Sequence, residues 1–483
     1  MNYRAVLRYM GQVLSIEGLF MLPALLVCFL YGEGGPARAF GLCILLTLGV
    51  GFALSRIPLK DGIYAREGFV IVALSWVAIS LFGALPFWIS REIPRFVDAF
   101  FETVSGFTTT GASILTDIEA MSFGMLYWRS FTHWLGGMGV LVFLLAIVPL
   151  ARGNGETLHL LRAESPGPAP GKMTPTIRQT SRALYGIYVA MTAAEIVLLL
   201  IGGMPLFDAV VHAFGTAGTG GFSIKGASIA AYDSAYLQLV IAIFMALFGV
   251  NFNMYYLLLL HNGRSVWKNE ELRAYVSIMA AATVIIALNI LPGYTSVGRA
   301  FLDSFFQVSS IMTTTGYATA DFNLWPQLSR LLLVLLMLVG ASAGSTGGGI
   351  KVSRLLILWK HMMQEMRTML RPRSVQISRM DGKRLEDSTV RGASAFLVAY
   401  CLICCLSMAL VSLDNFSLET TVTAVIACIN NIGPGLDMVG ATGNYSQFSP
   451  FAKIVLSLDM LLGRLEIFPM LLLFLPSVWK KRV

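Results

Sequence analysis

Long runs of hydrophobic residues, separated by short polar segments, dominate the pattern along the chain. A transmembrane helix needs about 20 mostly apolar residues, and ten of the runs reach or approach that length. They lie at about 11–31, 39–55, 69–90, 124–150, 183–203, 235–261, 273–292, 328–360, 394–412 and 450–478. The pattern therefore predicts an all-α integral membrane protein with ten transmembrane helices.

Four shorter hydrophobic runs lie between these long ones. They occupy about 97–110, 207–217, 302–313 and 418–430. A dozen residues is too short to cross a bilayer as a helix. We therefore expect half-helices that enter the membrane and turn back.

Composition supports the membrane assignment. Of the 483 residues, 56% are hydrophobic and only 13% are charged, whereas a soluble protein is about 25% charged. This excludes a soluble enzyme. The net charge of +8 could suggest a nucleic-acid partner, but the basic residues lie between the apolar runs rather than in one patch.

The basic residues instead predict a topology. If the N-terminus is cytoplasmic, most of the 35 Lys and Arg residues fall on the cytoplasmic side, as the positive-inside rule expects. An even number of crossings then places the C-terminus there as well. Two basic cytoplasmic loops, at about 151–181 and 361–392, could dock a soluble partner or bind anionic lipid headgroups.

An internal repeat gives the main functional signal. Three of the short runs begin with an aspartate that is followed, 13 positions later, by a glycine. A weaker fourth copy begins at Thr420. The repeat thereby aligns Asp98 with Gly111, Asp208 with Gly221, Asp303 with Gly316, and Thr420 with Gly433.

Each copy is flanked by apolar runs. The sequence therefore predicts four units of span, pore helix, filter loop and span, arranged pseudo-fourfold around one pore. Two extra spans occupy 1–66, and the pore repeats occupy 67–181, 182–271, 272–392 and 393–483.

The repeated loops have a chemistry suited to cations. Non-helical backbone at membrane depth is tolerated where it is buried or lines an aqueous pathway, and rings of backbone carbonyls can replace the hydration shell of an alkali cation. A half-helix with its aspartate as N-cap would point its negative C-terminal end at such a ring. We therefore expect a cation pore.

Several motifs lie in these loops or in the apolar runs that follow them, namely "GFTTTGAS", "GTGGFS", "TTTGYAT", "NNIGPGL", "GASAGSTGGGIK" and "GRLEIF". They resemble the Trk/Ktr/HKT superfamily of potassium transporters, and most of all its bacterial TrkH and TrkG branch. The resemblance runs from end to end. It implies potassium uptake across a bacterial inner membrane through a channel-like pore in a homodimer. It also implies a cytoplasmic TrkA-like subunit that binds the nucleotide and gates the pore, so that K⁺ is the transported ion and this chain holds no nucleotide.

The resemblance also implies which residues form the selectivity filter. Gly111 stands where sodium-preferring plant members carry serine, which implies a preference for potassium. The fourth row departs from the others because asparagine replaces threonine and Pro434 follows the glycine. The implied rows are Thr109, Thr110 and Gly111; Thr219, Gly220 and Gly221; Thr314, Thr315 and Gly316; and Asn431, Ile432 and Gly433.

A glycine-rich interruption at 340–351 is the candidate gate. Each glycine costs about 1 kcal/mol in a helix relative to alanine, so we expect no helix there. The spacing does not match a phosphate-binding loop. In the family the matching segment is an intramembrane loop beneath the filter, which implies gating roles for Gly340, Gly344, Gly347, Gly348, Gly349 and Lys351.

Arg464 is a charged residue inside an apolar run, where charge is costly and functional. The resemblance places it in the cavity below the filter, where it would act in gating; the alternative is a structural tie to loop carbonyls. Glu466 is two positions away and on another face of the helix, so we expect no pair between them. His133 and His212 are interpreted as packing residues.

Two other functional classes are alternatives to a channel-like pore. A proton- or sodium-coupled cation symporter needs buried acidic groups, and Glu195 and Asp459 are mid-span carboxylates, but neither lies in a pore loop. A membrane enzyme has no nucleophile, base or metal-ligand constellation to support it. The sequence therefore predicts a protein that is not an enzyme.

Overall fold

The computed structural model describes residues 1–58, 64–139, 177–371 and 377–480. This part of the chain is mostly helical, with one small hairpin in which β1 (Arg379–Met380) pairs antiparallel with β2 (Lys383–Arg384). The helices as far as residue 259 are α1 (Tyr3–Phe20), α2 (Leu22–Leu30), α3 (Gly34–Ser55), α4 (Ala65–Gly83), α5 (Leu85–Ile89), α6 (Phe96–Phe107), α7 (Phe123–Gly137), α8 (Ile177–Ile201), α9 (Leu206–Gly218), α10 (Ala235–Phe248) and α11 (Phe252–Leu259). The helices that follow are α12 (Gly263–Lys268), α13 (Glu270–Ile290), α14 (Val297–Met312), α15 (Gln327–Val339), α16 (Val352–Leu370), α17 (Asp387–Val411), α18 (Leu418–Ile429), α19 (Pro450–Arg464), α20 (Phe468–Leu473) and α21 (Pro476–Trp479). Short 3₁₀ turns lie at Ser228–Ala231, Leu291–Gly293, Phe322–Leu324, Ser412–Asp414 and Asp437–Val439.

Six segments of the described chain are long and apolar enough to cross a membrane. They match six of the predicted runs and lie at Tyr3–Leu30, Gly34–Ser55, Arg66–Ile89, Ser181–Ile201, Glu270–Gly293 and Asp387–Asp414. The count of ten crossings stays a prediction.

The other predicted runs are broken or only partly described. The run 235–261 is not straight, because α10 and α11 meet at a bend of 91°. The run 328–360 divides into α15 and α16, and the run 450–478 into α19, α20 and α21. The part of 124–150 beyond residue 139 lies outside the described residues, as does the loop 151–181 up to residue 176.

The two N-terminal helices α1 and α3 cross with their backbones in close contact. A Cβ atom on Gly11 would lie 2.6 Å from the backbone nitrogen of Ser55, and one on Gly51 would lie 2.7 Å from that of Ser15. Small residues allow membrane helices to approach in this way. This pair also packs on α4 through α1.

Four short helices, α6, α9, α14 and α18, form the interior. Each packs against the long helix before it and the helix after it: α4 and α7 for α6, α8 and α10 for α9, α13 and α15 for α14, and α17 and α19 for α18. Each following helix also contacts the next short helix, in the order α7 to α9, α10 to α14, α15 to α18 and α19 to α6. The series of contacts therefore returns to its starting point.

The prediction that the aspartates cap these helices is wrong. Asp98 and Asp208 are the third residues of α6 and α9, and Asp303 lies a full turn further into α14. Their carboxylates instead accept hydrogen bonds from donor side chains nearby. The partners are Lys453 for Asp98 at 2.6 Å, Tyr232 for Asp208 at 2.6 Å, and Arg299 for Asp303 at 3.0 Å.

Candidate ion-coordinating site

The four short helices end in the same turn. The N–H of Thr109 donates to the carbonyl of Gly106 at 3.1 Å, and that of Thr110 donates to Ser105 at 2.8 Å. Bonds with the same spacing recur after α9, α14 and α18. This is the Schellman motif, which requires a left-handed residue just past the helix end.

The left-handed residues occupy equivalent positions in the four loops. Threonine in this conformation is a genuine outlier, because its branched Cβ opposes positive φ, whereas asparagine tolerates it. Asn431 in the fourth loop therefore keeps the turn of the other three. The φ angles are 55° at Thr109, 53° at Thr219, 61° at Thr314 and 56° at Asn431.

The loops meet at their glycines, all of which have positive φ. A Cβ on Gly111 would collide with the carbonyl oxygen of Gly220, one on Gly221 with that of Thr315, and one on Gly316 with that of Ile432. A Cβ on Gly433 would lie 2.7 Å from the carbonyl oxygen of Thr110. Each glycine thus packs against the middle residue of the next loop, and the fourth loop returns to the first.

All twelve residues predicted for the filter are therefore brought together. The available ligands are backbone carbonyls and threonine hydroxyls, and Thr109, Thr110, Thr219, Thr314 and Thr315 are all buried. In the described ranges no group of three or more His, Cys, Asp or Glu residues is placed to hold a metal ion. Carbonyl and hydroxyl oxygens without fixed negative charge suit a weakly hydrated monovalent cation as the passing substrate.

The glycine-rich loop lies against the filter where the pore helices end. Residues 340–351 form no helix, as their glycines predict, and Gly340, Gly344 and Gly349 have φ between 69° and 79°. The N–H of Gly348 donates to the hydroxyl of Thr314 at 2.7 Å. A Cβ on Gly347 would lie 2.8 Å from the carbonyl oxygen of Thr313.

Hydrogen bonds to neighbouring helices and within the loop hold it in place. Glu271 of α13 accepts a hydrogen bond from the N–H of Ala343 at 2.6 Å. The carbonyl of Gly344 accepts from the N–H of Phe252, at the bend between α10 and α11, at 3.0 Å. Lys351, with φ of 80°, donates to the carbonyl of Gly347 within the loop itself.

Arg464 joins the loop to the first filter row. Its Nη1 donates to the carbonyl of Thr346 at 2.8 Å and to the hydroxyl of Thr109 at 3.1 Å. Its Nη2 donates to the carbonyls of Gly137, at 2.7 Å, and Gly136 at the end of α7. The guanidinium thus contacts both the first filter row and the loop carbonyls. Its position fits both the gating role and the structural tie to loop carbonyls.

Glu466 pairs elsewhere. Its carboxylate accepts from the guanidinium of Arg354 at the start of α16. Glu466 lies in the turn between α19 and α20, so its partner is set by that turn and not by a helix face. The ion pair ties α16, which follows the glycine loop, to the end of α19.

Sequence reasoning missed the residues of α7 that support the filter. Arg129 donates to the carboxylate of Glu102 at 2.6 Å and to the carbonyl of Ser223 at 2.9 Å. His133, assigned to packing, contacts Gly106 and Phe222 through its two ring nitrogens. Their spacing of four residues puts both on one helix face, which is a signal, but their partners lie far away in sequence.

His212 has a more local environment. Its Nδ1 lies 2.8 Å from the carbonyl of Asp208 in the same helix, and its Nε2 lies 3.0 Å from the hydroxyl of Ser223. It is fully buried. The packing interpretation fits these contacts within one repeat.

Two carboxylates outside the spans, those of Asp437 and Glu119, lie on the side of the protein where the pore helices begin. Hydrogen bonds from the hydroxyls of Ser417 and Thr420 lower the pKa of Asp437. A hydrogen bond from the Lys225 ammonium, 3.2 Å away, lowers the pKa of Glu119. Both groups stay ionised at neutral pH. Asp437 contributes negative charge to this face, whereas the charge of Glu119 is offset by Lys225.

The chain is similar to known proteins over nearly its whole length. The family model described as "TrkH: Cation transport protein" matches residues 37–481. The chain is 37% identical to the Trk system potassium uptake protein TrkH of Salmonella typhimurium, with all of both chains covered. It is 33% identical to the Trk system potassium uptake protein TrkG of Escherichia coli, with 99% of each covered. The crystal structure of the potassium transporter TrkH from Vibrio parahaemolyticus superposes with a TM-score of 0.87 at 33% identity, over 99% of this chain and 100% of that one.

Proposed function

Because the chain belongs to the TrkH family of cation transport proteins, we propose that it takes up potassium across a bacterial inner membrane through a channel-like pore. The observation that carries this proposal is the cyclic contact of the four glycine loops, in which Gly433 returns to Thr110. Loops that meet in a ring present their carbonyl oxygens to one axis. Such rings bind a dehydrated alkali cation.

The pore is built from four repeats arranged pseudo-fourfold around one axis, in a chain that crosses the membrane ten times. The closed series of contacts that links α6, α9, α14 and α18 through the helices that follow them supports the arrangement of the repeats. The repeats occupy 67–181, 182–271, 272–392 and 393–483 after two extra spans at 1–66. Both termini are cytoplasmic, as the distribution of basic residues favours.

The filter rows select potassium over sodium. Row members Thr109, Thr219, Thr314 and Asn431 share one left-handed turn, which fixes the direction of the carbonyls that follow. Gly111 has no side chain at the point where the first row meets the carbonyl of Gly220. The ion is the substrate of the protein, and the ligands belong to this chain.

Conduction is gated by the loop 340–351 together with Arg464. The loop touches the filter through Gly348 and Thr314, and Arg464 donates to both the loop and the first row. A positive charge at this position repels a cation as long as the loop holds it there. Movement of α16, which follows the loop and pairs with Glu466 through Arg354, would release both.

The partner that drives this movement is a cytoplasmic nucleotide-binding subunit of the TrkA kind. The relatives are named as proteins of the Trk system, and a second copy of this chain completes a homodimer. The end of α16 and the hairpin β1–β2 form the described part of the basic loop 361–392, which is suited to docking this partner. Anionic lipid headgroups are the other ligand that this loop suits.

Flux measurements in proteoliposomes test the proposal. Uptake of ⁸⁶Rb⁺ or ⁴²K⁺ under clamped voltage should follow the electrochemical gradient of potassium alone. A coupled symporter would instead respond to an imposed proton or sodium gradient. Asp459 argues against coupling, because its carboxylate accepts from Ser407 of α17 at 2.6 Å, on the side of α19 that faces another helix.

A growth assay tests the partner. Expression of the chain should rescue potassium-uptake-deficient bacteria at limiting potassium, and more strongly when the soluble subunit is present. Equal rescue with and without that subunit would contradict the gating role.

A further inference from the structure

His133 lies fully buried on α7 between two filter loops. Its Nε2 is 3.2 Å from the backbone nitrogen of Phe222, and its Nδ1 is 2.8 Å from the carbonyl oxygen of Gly106. A backbone N–H can only donate, so Nε2 must be the acceptor. The ring is therefore neutral, and its hydrogen sits on Nδ1 and is donated to Gly106.

These two bonds reach backbone groups that define adjacent filter rows. The carbonyl of Gly106 also accepts the N–H of Thr109, the bond that closes the left-handed turn of the first loop. Phe222 directly follows Gly221, the filter glycine of the second loop. One side chain thus connects the start of the first row to the end of the second.

The ring also fills the space behind the second row. A Cβ on Gly220 would collide with the His133 ring, and a Cβ on Gly218 would collide with the His133 carbonyl. The Phe222 ring lies 4.2 Å from the imidazole, centroid to centroid, and the Arg129 guanidinium lies 3.5 Å from the Phe222 ring centre. The imidazole is therefore packed between Gly220 and the Phe222 ring, and Arg129 in turn stacks on Phe222.

We propose that His133 is a positioning residue that sets the separation between the first and second filter rows and thereby contributes to discrimination between potassium and sodium. The inference rests on the proposed pore function. Selectivity depends on the number and spacing of coordinating carbonyls. A side chain that fixes the distance between two of the four rows acts on that spacing without touching the ion.

Three substitutions separate the two bonds. Asparagine places an amide where Nδ1 lies, so His133→Asn keeps the bond to Gly106 and loses that to Phe222. Glutamine places its carbonyl near Nε2, so His133→Gln keeps the bond to Phe222 and loses that to Gly106. His133→Ala loses both. His212→Gln is the matched control, since it removes another fully buried histidine next to a filter loop.

The measurement is the Na⁺/K⁺ permeability ratio from bi-ionic reversal potentials in planar bilayers that contain the purified full-length protein. Loss of a hydrogen bond should raise the ratio about two- to tenfold in each single-bond variant, and more in His133→Ala. His212→Gln should lower the melting temperature in detergent but leave the ratio unchanged. A merely structural role for His133 would lower stability in all four variants and shift no reversal potential.

Any folded His133 variant with the wild-type ratio overturns the inference. So does an equal shift in His212→Gln, because the effect would then reflect general loosening. If His133→Ala does not fold, the asparagine and glutamine variants, which keep one bond each, decide the matter. A wild-type protein that shows no potassium-selective current overturns the proposed function itself, which is a separate result.

Discussion

Arg464 at the end of α19 donates a hydrogen bond to the carbonyl oxygen of Thr346, 2.8 Å away in the glycine-rich loop. The two residues are 118 positions apart in the chain. The same guanidinium nitrogen reaches the hydroxyl of Thr109 in the first filter row at 3.1 Å. One charge therefore connects the candidate gate to the candidate filter.

Replacement of Arg464 by glutamine should raise the single-channel potassium conductance. A unit positive charge near the ion path costs a passing cation on the order of 1 kcal/mol or more at an effective dielectric constant of about 20, so we expect an increase of about fivefold. Single-channel recording in planar bilayers measures it.

Arg464→Lys is the matched control. Lysine keeps the charge but loses the planar fork that reaches several carbonyls at once. If the charge limits conduction, the lysine variant should conduct like the wild type. If the tie to the loop is what matters, lysine and glutamine should behave alike, and an unchanged glutamine variant would leave Arg464 with a purely structural role.

Replacement of Glu271 by alanine should raise potassium flux in the absence of the soluble partner. Glu271 accepts the N–H of Ala343 at 2.6 Å, and a hydrogen bond to a charged group contributes about 1.5–3 kcal/mol. Without this bond the loop 340–351 should leave its place against Thr314 more often. We expect at least about a fivefold rise in ⁸⁶Rb⁺ flux into proteoliposomes. Glu271→Gln, which keeps an acceptor oxygen, should stay near the wild-type flux, and equal flux in all three proteins would argue against a gate at this loop.

Replacement of Gly111 by serine should weaken selectivity against sodium. Gly111 has φ of 80°, and a Cβ there would collide with the carbonyl of Gly220, so the first and second rows must separate. The Na⁺/K⁺ permeability ratio should rise severalfold, or potassium conduction should be lost. Gly186→Ser is the control, because no atom lies within 4 Å of a Cβ on Gly186 in α8. A Gly111→Ser variant with wild-type selectivity would exclude Gly111 from the filter.

The local pattern predicted much of this arrangement. The 13-residue spacing between Asp98 and Gly111 recurs in the other copies and locates all four loops. It recurs because each loop makes the same turn, with a glycine of positive φ at the same position. The prediction that the aspartates are N-caps is wrong, because the sequence does not show that Lys453 lies beside Asp98 and Tyr232 beside Asp208.

What the sequence could not predict are contacts between distant residues. His133 and Phe222 are 89 positions apart, and an isolated histidine on an apolar helix has the same appearance whether it packs or bridges two loops. The bend of 91° between α10 and α11 was missed because an apolar run gives no sign of direction. At this bend the N–H of Phe252 donates to the carbonyl of Gly344, a contact between residues far apart in the sequence.

Removal of the Glu102 side chain should destabilise the protein strongly. Glu102 and Arg129 are 1% and 2% exposed and lie 2.6 Å apart. Breaking a buried ion pair by removing one partner costs about 3–5 kcal/mol, because the other charge is left uncompensated. Glu102→Ala should therefore lower the melting temperature measured by fluorescence-detected size-exclusion chromatography.

The double variant Glu102→Met with Arg129→Met tests the cause. It removes both charges, so it should be less destabilised than Glu102→Ala. Glu119→Ala is the comparison on an exposed pair with Lys225, where the lowering of the melting temperature should be much smaller, because solvent screens exposed ion pairs. A double variant at least as unstable as the single one would show that packing rather than charge dominates.

Replacement of Asp437 by asparagine should lower the conductance for potassium that enters from the side where the pore helices begin. Asp437 is exposed, and its carboxylate accepts from Thr420 at 2.7 Å and from Ser417. Its negative charge concentrates cations near that face only over a Debye length, about 10 Å at 0.1 M salt and 3 Å at 1 M. The difference between wild type and Asp437→Asn should therefore be clear in dilute potassium chloride and small at 1 M, and Asp437→Glu should restore the current.

The hydroxyl donors also lower the pKa of Asp437 below its ordinary value, so the carboxylate remains charged as the pH falls from 7 to 5. Its contribution to conductance is lost only as the pH falls through the lower pKa of the folded state. Its contribution to the stability of this loop is fully present above the pKa of the unfolded chain, about 3.9, and is lost as the pH falls from there through the lower pKa of the folded state. A loss of the Asp437-dependent current between pH 7 and 5 would contradict this assignment.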